Sequence, residues 1–316
     1  MGIGALLPKP LVFAAEKRFP ALARRRILRA MPQYVMIQTT SFCNAKCTIC
    51  PYPDTAKELT MGAMADDLFD RIVAECAEAG SAVRQIYPFL MNEPLMDKKF
   101  AERVAKIRRA MPTVKVQIDS NLGLLDEAKA EAATEYCDMI LVSAHGITKE
   151  TYEAISIGIP FDRFLANLDL LVRTAKGRRA QVAINCVAKT REHADEVRAF
   201  WAARGVLAHV NLFVTHAGNH KSEKMHADGA LGGCCNTDIP LNRLNILYNG
   251  DCILCCMDWR REVVLGNLGR STIRETWNSD AYRSVRDKVY GTEMAGPEFL
   301  CRRCDCVVQG DYRKFW

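Results

Sequence analysis

Between residues 34 and 214, six short apolar runs alternate with longer stretches of helical spacing, and this alternation constrains the fold more than any other feature of the sequence. The apolar runs are 34–40, 83–90, 114–119, 139–144, 181–187 and 209–214. The stretches with apolar residues at helical intervals are 66–79, 97–110, 124–135, 148–175 and 192–204. Strands that alternate with helices in this way form parallel β/α units. Six units are fewer than the eight of a closed barrel, so the sequence predicts an α/β fold built on a partial (β/α)6 TIM-like barrel.

The alternation stops near residue 216, and we predict a domain boundary there. A polar, glycine-rich passage leads into a cysteine-dense tail, in which Asn249-Gly250 between two apolar runs predicts a β-hairpin with a type I′ turn. Residues 8–31 mix apolar and basic side chains and predict one or two basic helices packed on the barrel, with membrane-surface contact as the alternative. The predicted domains are a basic helical extension (1–33), the barrel (34–216) and a small C-terminal hairpin-and-helix domain (217–316).

Fourteen cysteines in 316 residues are unusual, and they bear on the compartment of the protein. The N-terminus lacks the charged, apolar and small-residue order of an export signal. No uncharged run approaches the roughly 18 residues that a membrane span requires. A cytoplasmic location is therefore predicted, where cysteines are metal ligands more often than crosslinks. The net charge of +6 suits a solvated surface or an anionic substrate.

Cys43, Cys47 and Cys50 form a C-x3-C-x2-C pattern directly after the first predicted strand. This loop lies at the carboxyl end of the strand, the face on which β/α barrels assemble their active sites. Three thiolates within eight residues suit a compact centre of soft metal ions. Structural zinc and closed iron–sulfur clusters take four protein ligands, so three leave one metal position open for another molecule. A zinc site completed by a distant fourth cysteine is the alternative.

The pattern and its position resemble the radical S-adenosylmethionine (SAM) superfamily, and the resemblance covers essentially residues 34–306. It implies that the three cysteines hold a [4Fe–4S] cluster whose open iron binds the amino and carboxylate groups of SAM. It also implies that an electron from a flavodoxin- or ferredoxin-type donor splits the sulfonium and releases a 5′-deoxyadenosyl radical. Ile49 occupies the position whose backbone contacts the adenine in that family.

A second motif, Met-Asn-Glu-Pro at 91–94, follows the second predicted strand. It stands where the superfamily usually has Gly-Gly-Glu-Pro, which implies that Asn92 and Glu93 contribute to SAM binding. Glu93 would accept a charge-assisted hydrogen bond from the methionyl ammonium. The two glycines are replaced, so the backbone is expected to approach SAM differently here.

Two further elements end the third and fourth strands in the order that the superfamily shows. Ser120-Asn121 resembles a frequent Thr-Asn-Gly element, and Ser143 resembles a serine that contacts the ribose. His145 stands where an acid is common, and we interpret it as a core or supporting histidine.

The tail holds a second group of cysteines: Cys234, Cys235, Cys252, Cys255, Cys256, Cys301, Cys304 and Cys306. Gly250-x4-Cys255 and Cys301-x2-Cys304 resemble the SPASM domains of radical enzymes and their shorter twitch form. No cysteine lies between 256 and 301, so the resemblance implies one auxiliary [4Fe–4S] cluster held by Cys235, Cys255, Cys301 and Cys304. Cys234 is the alternative to Cys235, and Cys306 is the alternative to Cys304. A zinc ribbon with the same four ligands is the other interpretation.

Four cysteines outside these ligand sets are candidates for a thiol that donates a hydrogen atom to a substrate radical: Cys186, Cys252, Cys256 and Cys306. On a regular hairpin Cys252 and Cys256 share one face and Cys255 points to the other. Cys186 lies on a barrel strand and is equally able to face the cavity or the helices. Cys76 and Cys137 fall in helical stretches and are predicted to lie in the core.

The favoured reaction is dehydrogenation. A single auxiliary cluster resembles that of radical enzymes that dehydrogenate aminocyclitols, which implies oxidation of an alcohol on a sugar- or cyclitol-type intermediate. The alternative is a radical epimerase or another modifying enzyme that acts on a peptide or an aminoglycoside. A zinc-dependent nucleic-acid-binding protein is the non-enzyme alternative, but the arginines cluster at 18–29, ahead of the barrel, so no nucleic-acid partner is predicted. The residue that takes the substrate proton is not identified by any motif.

Overall fold

The computed structural model describes residues 30–188, 190–220, 226–234, 239–291 and 293–309. The predicted basic helices within 8–31 lie outside the described residues, apart from positions 30 and 31. In the described parts of the chain, no helix is both long enough and apolar enough to cross a bilayer.

Six parallel strands form the centre of the fold. They are β1 (Tyr34–Ile37), β2 (Gln85–Tyr87), β3 (Lys115–Ser120), β4 (Met139–Ser143), β5 (Gln181–Ala188) and β6 (Leu207–Leu212). Each pairs with the next in sequence order. Among the described residues β6 is an edge of the sheet, so the barrel is open. The predicted α/β fold with a partial barrel is confirmed.

Seven helices accompany these strands. They are α1 (Tyr52–Glu58), α2 (Asp66–Glu78), α3 (Phe100–Ala110), α4 (Glu127–Tyr136), α5 (Lys149–Ile155), α6 (Phe161–Ala175) and α7 (Arg191–Ala202). The stretch 148–175 contains two helices, because Gly158 has a φ of +101° and Pro160 directly precedes α6.

The two faces of the barrel strands differ in chemistry. In β3, Val116 and Ile118 are buried, whereas the alternating Gln117 and Asp119 are only partly buried. Val116 and Ile118 belong to one core that also contains apolar residues of the surrounding helices. Each such side chain contributes roughly 1.5–3 kcal/mol through burial. The opposite face therefore carries polar groups into the interior of the open barrel.

The C-terminal region extends the barrel sheet. Its elements are β7 (Leu231–Cys234), α8 (Ile239–Asn242), β8 (Arg243–Ile246), β9 (Asp251–Ile253), β10 (Val264–Asn267), α9 (Ile273–Trp277), α10 (Asp280–Val289) and β11 (Val307–Gln309). β8 pairs in parallel with β1, so one sheet runs in the order β10-β9-β8-β1-β2-β3-β4-β5-β6. β7 and β11 form a separate two-stranded antiparallel sheet.

The predicted hairpin is formed by β8 and β9, but its predicted turn type is wrong. A type I′ turn needs positive φ at both central residues, and only Gly250 has one, at +89°. The Leu247 amide donates to the Asp251 carbonyl, which encloses a three-residue loop with glycine in the left-handed position. Gly250 is thus required here for a different turn from the one that the dipeptide suggested.

Arg103, on α3, fixes the backbone that leads from β1 into the first cysteine motif. Its guanidinium donates to the carboxylates of Asp97 (2.9 Å) and Asp66 (3.1 Å) and to the carbonyl oxygens of Thr39 (3.1 Å) and Met64 (2.5 Å). The side chains of Arg103 and Asp97 are each only 5% exposed. Removing one partner of such a buried pair leaves the other charge uncompensated.

We predict that Arg103→Met lowers the free energy of unfolding by about 3–5 kcal/mol, because the Asp97 carboxylate stays buried without its cation. Anaerobic urea denaturation of the cluster-loaded protein measures the change. Arg109→Met is the matched control, since Arg109 is exposed on the same helix. Equal effects of the two substitutions would contradict the role assigned to Arg103.

Candidate metal centre and cofactor site

The loop between β1 and α1 carries the first three cysteines and is held in place mainly by backbone contacts. The Cys43 amide donates to the Tyr52 hydroxyl (2.8 Å), and the Tyr52 amide donates to the Cys50 sulfur (3.4 Å). The amides of Lys46 and Thr48 donate to backbone carbonyls at the end of α5 and just beyond it (2.8 and 2.9 Å). The loop is therefore shaped by its neighbours, whether or not a metal is bound.

The three thiols lie in a low-dielectric environment and influence one another. Burial is the main cause that raises the pKa of Cys47 to about 11 and that of Cys50 to about 12. Burial also raises the pKa of Cys43, and the charges of Glu93, Cys47 and Cys50 add to that effect. Such a group becomes thiolate only when positive charge is supplied, as iron would supply it.

The described residues do not contain a group of three or more histidine, cysteine, aspartate or glutamate side chains arranged for one metal ion. The three cysteines of the first group provide soft thiolate ligands, and three such ligands suit an iron–sulfur cluster with one of its four metal positions open to another molecule.

Glu93 is the central acid of the site. Its carboxylate accepts from the Ser120 hydroxyl (2.7 Å), the Asn121 amide (2.8 Å) and the Leu95 amide (3.0 Å). Burial nevertheless raises the pKa of Glu93 to about 7. A methionyl ammonium placed against this carboxylate would stabilise its charged form, so the residue fits its predicted partner.

Two other predicted SAM contacts, Asn121 and Asn92, differ in whether the side-chain amide already has a hydrogen-bond partner. The Asn121 side-chain amide donates to Asn44 (3.0 Å) and lies 3.8 Å from the Cys43 sulfur, which joins the end of β3 to the cysteine loop. Asn92 accepts from the Leu90 amide, and its own buried amide nitrogen has no partner among the described residues. Asn92 thus keeps a donor for a bound molecule.

Ser120 and Ser143 differ in how directly they can reach SAM. The Ser120 hydroxyl donates to Glu93 and accepts from the Leu122 amide (3.0 Å), so it orients the acid. Ser143 ends β4 and pairs in register with Asn185 of β5. Its side chain is only partly buried, on the interior face of the barrel.

His145 has a structural partner, as its interpretation as a supporting residue implies. Its Nδ1 accepts from the Val187 amide (3.2 Å), and burial lowers its pKa to about 4. The ring is therefore neutral at pH 7, with its proton on Nε2.

Two histidines bond to the backbone of the first cysteine loop. No sequence motif had singled them out. The His220 ring donates to the Thr48 carbonyl (2.8 Å), and the His216 ring bonds to the backbone of Ile49. Both histidines follow β6, and the Asp305 carboxylate accepts from the Thr215 hydroxyl (2.5 Å) at the start of the same segment. The segment connects the first cysteine loop to the C-terminal region.

Cys255, Cys301 and Cys304 come together in the C-terminal region, as predicted. Burial raises the pKa of the Cys255 thiol well above its ordinary value, and the neighbouring charges of Cys256, Cys301 and Cys304 add to this. Cys235 lies outside the described residues. Three of the four predicted auxiliary ligands are thus close in space.

Arg302 lies between the two cysteines of the C-x2-C motif and organises their backbone. Its buried guanidinium donates to the carbonyl oxygens of Ala227 (2.6 Å), Gly229 (3.0 Å), Ala295 (2.7 Å) and Gly296 (2.9 Å). These four acceptors come from two separate segments of chain. Arg302 therefore holds the C-x2-C turn through carbonyl oxygens, and among the described residues no carboxylate bonds to it.

The candidate hydrogen-donor thiols lie in different places. Cys186 pairs in register with Val210 and is fully buried on the face of β5 opposite to Asn185, away from the barrel interior. Cys252 is fully buried in β9. Burial raises the pKa of Tyr282 on α10, and the nearby charge of Cys252 adds to that effect. The thiols of Cys186 and Cys252 therefore do not line the interior of the barrel.

Burial is the main cause that raises the pKa of Cys256, and the charges of Arg243, Cys306 and Asp119 are close enough to influence it. The predicted shared face of Cys252 and Cys256 is wrong, because β9 ends at Ile253 and the chain turns before Cys256. Cys76 and Cys137 are fully buried in the core, as predicted.

Comparisons with known proteins agree with this geometry. The family model described as the radical SAM superfamily matches residues 37–200, and the SPASM model, described as an iron–sulfur cluster-binding domain, matches residues 234–305. One curated relative is the S-adenosyl-L-methionine-dependent 2-deoxy-scyllo-inosamine dehydrogenase of Niallia circulans. It is 21% identical over 274 residues, which cover 86% of this chain and 92% of the relative.

Solved structures share the fold at low sequence identity. BtrN in complex with AdoMet and 2-DOIA superposes with a TM-score of 0.62 at 18% identity, over 90% of this chain and 98% of BtrN. SuiB of Streptococcus suis, bound to its precursor peptide SuiA, gives 0.65 at 14% identity, over 95% and 75% of the two chains. The structure of anSMEcpe with bound AdoMet gives 0.63 at 16% identity, over 82% and 81%.

We predict that Glu93→Gln weakens SAM binding by about 10- to 150-fold, the value of one hydrogen bond to a charged group. Wild-type affinity falls as the pH drops below about 7, because the protonated acid no longer attracts the ammonium, and the variant lacks this dependence. Equilibrium dialysis with labelled SAM measures both effects. Glu135→Gln, at an exposed position of α4, is the control, and an equally small change in both variants would refute the assignment.

The two cysteine groups predict separable iron contents, with about eight irons and eight sulfides per chain after anaerobic reconstitution. Replacing Cys43, Cys47 and Cys50 by alanine leaves about four irons, and so does replacing Cys301 and Cys304. Cys137→Ala, which removes a buried core thiol, retains all of them. Iron and sulfide assays read the result, and zinc without sulfide would contradict both sites.

Proposed function

The chain belongs to the radical SAM superfamily, and on that premise we propose that it oxidises a secondary alcohol of a cyclitol- or sugar-type intermediate to a ketone. As a radical SAM enzyme with a SPASM region, it binds a [4Fe–4S] cluster, SAM and auxiliary iron–sulfur. The curated relative, a 2-deoxy-scyllo-inosamine dehydrogenase, supports the choice of an alcohol substrate.

In this proposal Cys43, Cys47 and Cys50 hold the first cluster, and Glu93 binds the methionyl ammonium of SAM. When bound, these groups supply a 5′-deoxyadenosyl radical that removes a hydrogen atom from an unactivated C–H bond. Asn92 and Asn121 position the amino-acid end of SAM. The proposal assigns Ile49 to the adenine and Ser143 to the ribose, with Ser120 acting through Glu93.

One auxiliary [4Fe–4S] cluster, held by Cys235, Cys255, Cys301 and Cys304, is the proposed acceptor of the substrate electron. The main observation in support of the dehydrogenase proposal is the position of the auxiliary-cluster thiols that lie among the described residues. Cys255 is followed directly by Cys256, and Cys256 lies close enough to Asp119 of the inner wall for the charge of Asp119 to raise its pKa. An electron acceptor near the inner wall of the barrel suits a two-electron oxidation.

The remaining parts of the proposal concern organisation and partners. We propose that 1–33, 34–216 and 217–316 act as an extension, a catalytic barrel and an auxiliary-cluster domain. The reductant is of the flavodoxin or ferredoxin type, and the enzyme works in the cytoplasm.

A radical epimerase that acts on a peptide or an aminoglycoside is the second candidate. The Cys256 thiol favours it, because this thiol lies close enough to Cys306 and to Asp119 of the inner wall for their charges to influence its pKa, and an epimerase needs a hydrogen-atom donor near its substrate. Two of the similar structures, SuiB and anSMEcpe, bind peptides by their own descriptions, which supports a peptide substrate for this candidate.

We predict that the reconstituted enzyme, given SAM and dithionite, converts 2-deoxy-scyllo-inosamine or a related aminocyclitol to a ketone with one 5′-deoxyadenosine per ketone. Chromatography with mass spectrometry measures both products. The Glu93→Gln variant at sub-saturating SAM is the control for cofactor dependence.

A redox-unchanged, stereoinverted product that carries deuterium from solvent D2O would instead support the epimerase. In that case Cys256→Ala or Cys306→Ala would abolish inversion while both clusters stay assembled. If none of the cyclitols and sugars tested with the enzyme gives a ketone, the dehydrogenase proposal is refuted.

A further inference from the structure

The inner wall of the barrel carries a connected polar group on adjacent strands. Gln85 of β2 and Gln117 and Asp119 of β3 lie on the same face, since alternate residues of a strand share a face. The Gln85 amide donates to the Gln117 carbonyl oxygen (3.0 Å), and the Gln117 amide donates to Asp119 Oδ1 (3.0 Å). The two glutamines thus fix the orientation of the Asp119 carboxylate.

The second carboxylate oxygen of Asp119 is available to a ligand. Among the described residues no hydrogen bond reaches Oδ2, and no cation lies within ion-pair distance of Asp119. Burial raises the pKa of Asp119 to about 6, and the hydrogen bond from Gln117 and the positive charge of Arg243 limit the rise. The side chain is therefore a carboxylate at pH 7 whose proton affinity is unusually high for an aspartate.

Arg243 of β8 completes the group with a positive charge. It pairs in register with Tyr34, and its guanidinium lies over the rings of Tyr34 (6.0 Å) and Tyr87 (5.5 Å). Its buried Nε has no partner among the described residues. A substrate oxygen on this wall would meet a hydrogen-bond donor and a proton acceptor together.

Asp119 lies near residues that are proposed to serve two different steps of the reaction, SAM binding and electron transfer. Its charge raises the pKa of Glu93, which lies on the SAM side. It also raises the pKa of Cys256, which follows the auxiliary ligand Cys255. The side chain thus lies near both the residue proposed to bind SAM and the residue that follows a proposed ligand of the electron acceptor.

Other titratable groups near Asp119 are less suited to accept the proton. The Glu93 carboxylate already accepts three hydrogen bonds and is assigned to SAM. The neutral His145 ring has its acceptor nitrogen bonded to the Val187 amide. Burial raises the pKa of Cys256 and of Tyr87 above their ordinary values, so both groups are protonated at pH 7.

We propose that Asp119 is the catalytic base of this enzyme, accepting the hydroxyl proton of the substrate alcohol while Arg243 donates to the same oxygen. The inference rests on the dehydrogenase function proposed above. Removal of the C–H hydrogen atom as 5′-deoxyadenosine leaves a carbon radical that bears the hydroxyl. The O–H proton would pass to Asp119 Oδ2 as the C=O bond of the ketone forms, and the iron–sulfur group that Cys255, Cys301 and Cys304 would hold would accept the remaining electron.

Asp119→Asn tests the proposal because the amide has the same shape but cannot accept the proton. The probe is the aminocyclitol that the wild type converts best, starting with 2-deoxy-scyllo-inosamine. Hydrogen abstraction precedes proton loss, so the variant is expected to form 5′-deoxyadenosine in a substrate-dependent way while ketone per 5′-deoxyadenosine falls at least tenfold. Electron paramagnetic resonance of freeze-quenched samples is expected to show more substrate radical than in the wild type.

The pH profile supplies a readout that a structural role would not move. Wild-type ketone per 5′-deoxyadenosine is expected to decline as the pH falls through about 6, because a protonated Asp119 cannot accept a second proton. The Asp119→Asn variant lacks this limb. Asp169→Asn, at an exposed position of α6, is the matched control and retains the wild-type profile.

The outcomes separate this proposal from the function on which it rests. Wild-type ketone formation together with an Asp119→Asn variant that keeps the product ratio and the acid limb would overturn the base while leaving the dehydrogenase intact. No ketone from the wild type would overturn both. Loss of 5′-deoxyadenosine together with ketone, with calorimetry showing that SAM and the aminocyclitol still bind, would also overturn the base, because the defect would precede proton transfer.

Discussion

One buried carboxylate holds the rim of this barrel together. The Glu93 side chain accepts from Ser120 and Asn121 after β3, and its own backbone amide donates to the Phe42 carbonyl (3.0 Å) in the first cysteine loop. Loops after three successive strands are thus joined at one residue. Burying an acid is unfavourable unless its oxygens are bonded, and three donors offset that cost only in part, which keeps the site receptive to a cation.

The pairing of β8 with β1 relates the two cysteine groups to each other. The first group follows the carboxyl end of β1, whereas Cys255 follows β9, which lies beyond β8 and runs antiparallel to it, so the two groups lie toward opposite ends of one sheet. The segment with His216 and His220 makes a second connection between the first cysteine loop and the C-terminal region. A substrate in the open barrel is therefore enclosed by elements whose separation is fixed by backbone hydrogen bonds.

Sequence reasoning succeeded where a pattern maps onto a local rule and failed where orientation depends on the whole fold. The alternation of parallel strands with helices, and the position of the first three cysteines after β1, follow from spacing, whereas Glu93 and the second cysteine group were selected by the family resemblance. The side to which Cys186 points does not, because both faces of a barrel strand are occupied and alternation alone cannot say which is inner. Asp119 escaped notice because its role depends on Gln85 and Arg243, which lie 34 residues before it and 124 after it.

Arg302 has a consequence for how the auxiliary centre is built. Because its guanidinium already binds four carbonyl oxygens, the turn that presents Cys301 and Cys304 is formed by the polypeptide alone. Little ordering entropy then remains to be lost at this pair when iron arrives, so metal affinity is not consumed in folding the tail. The chain offers a pre-shaped receptor for cluster delivery, and maturation can follow folding instead of driving it.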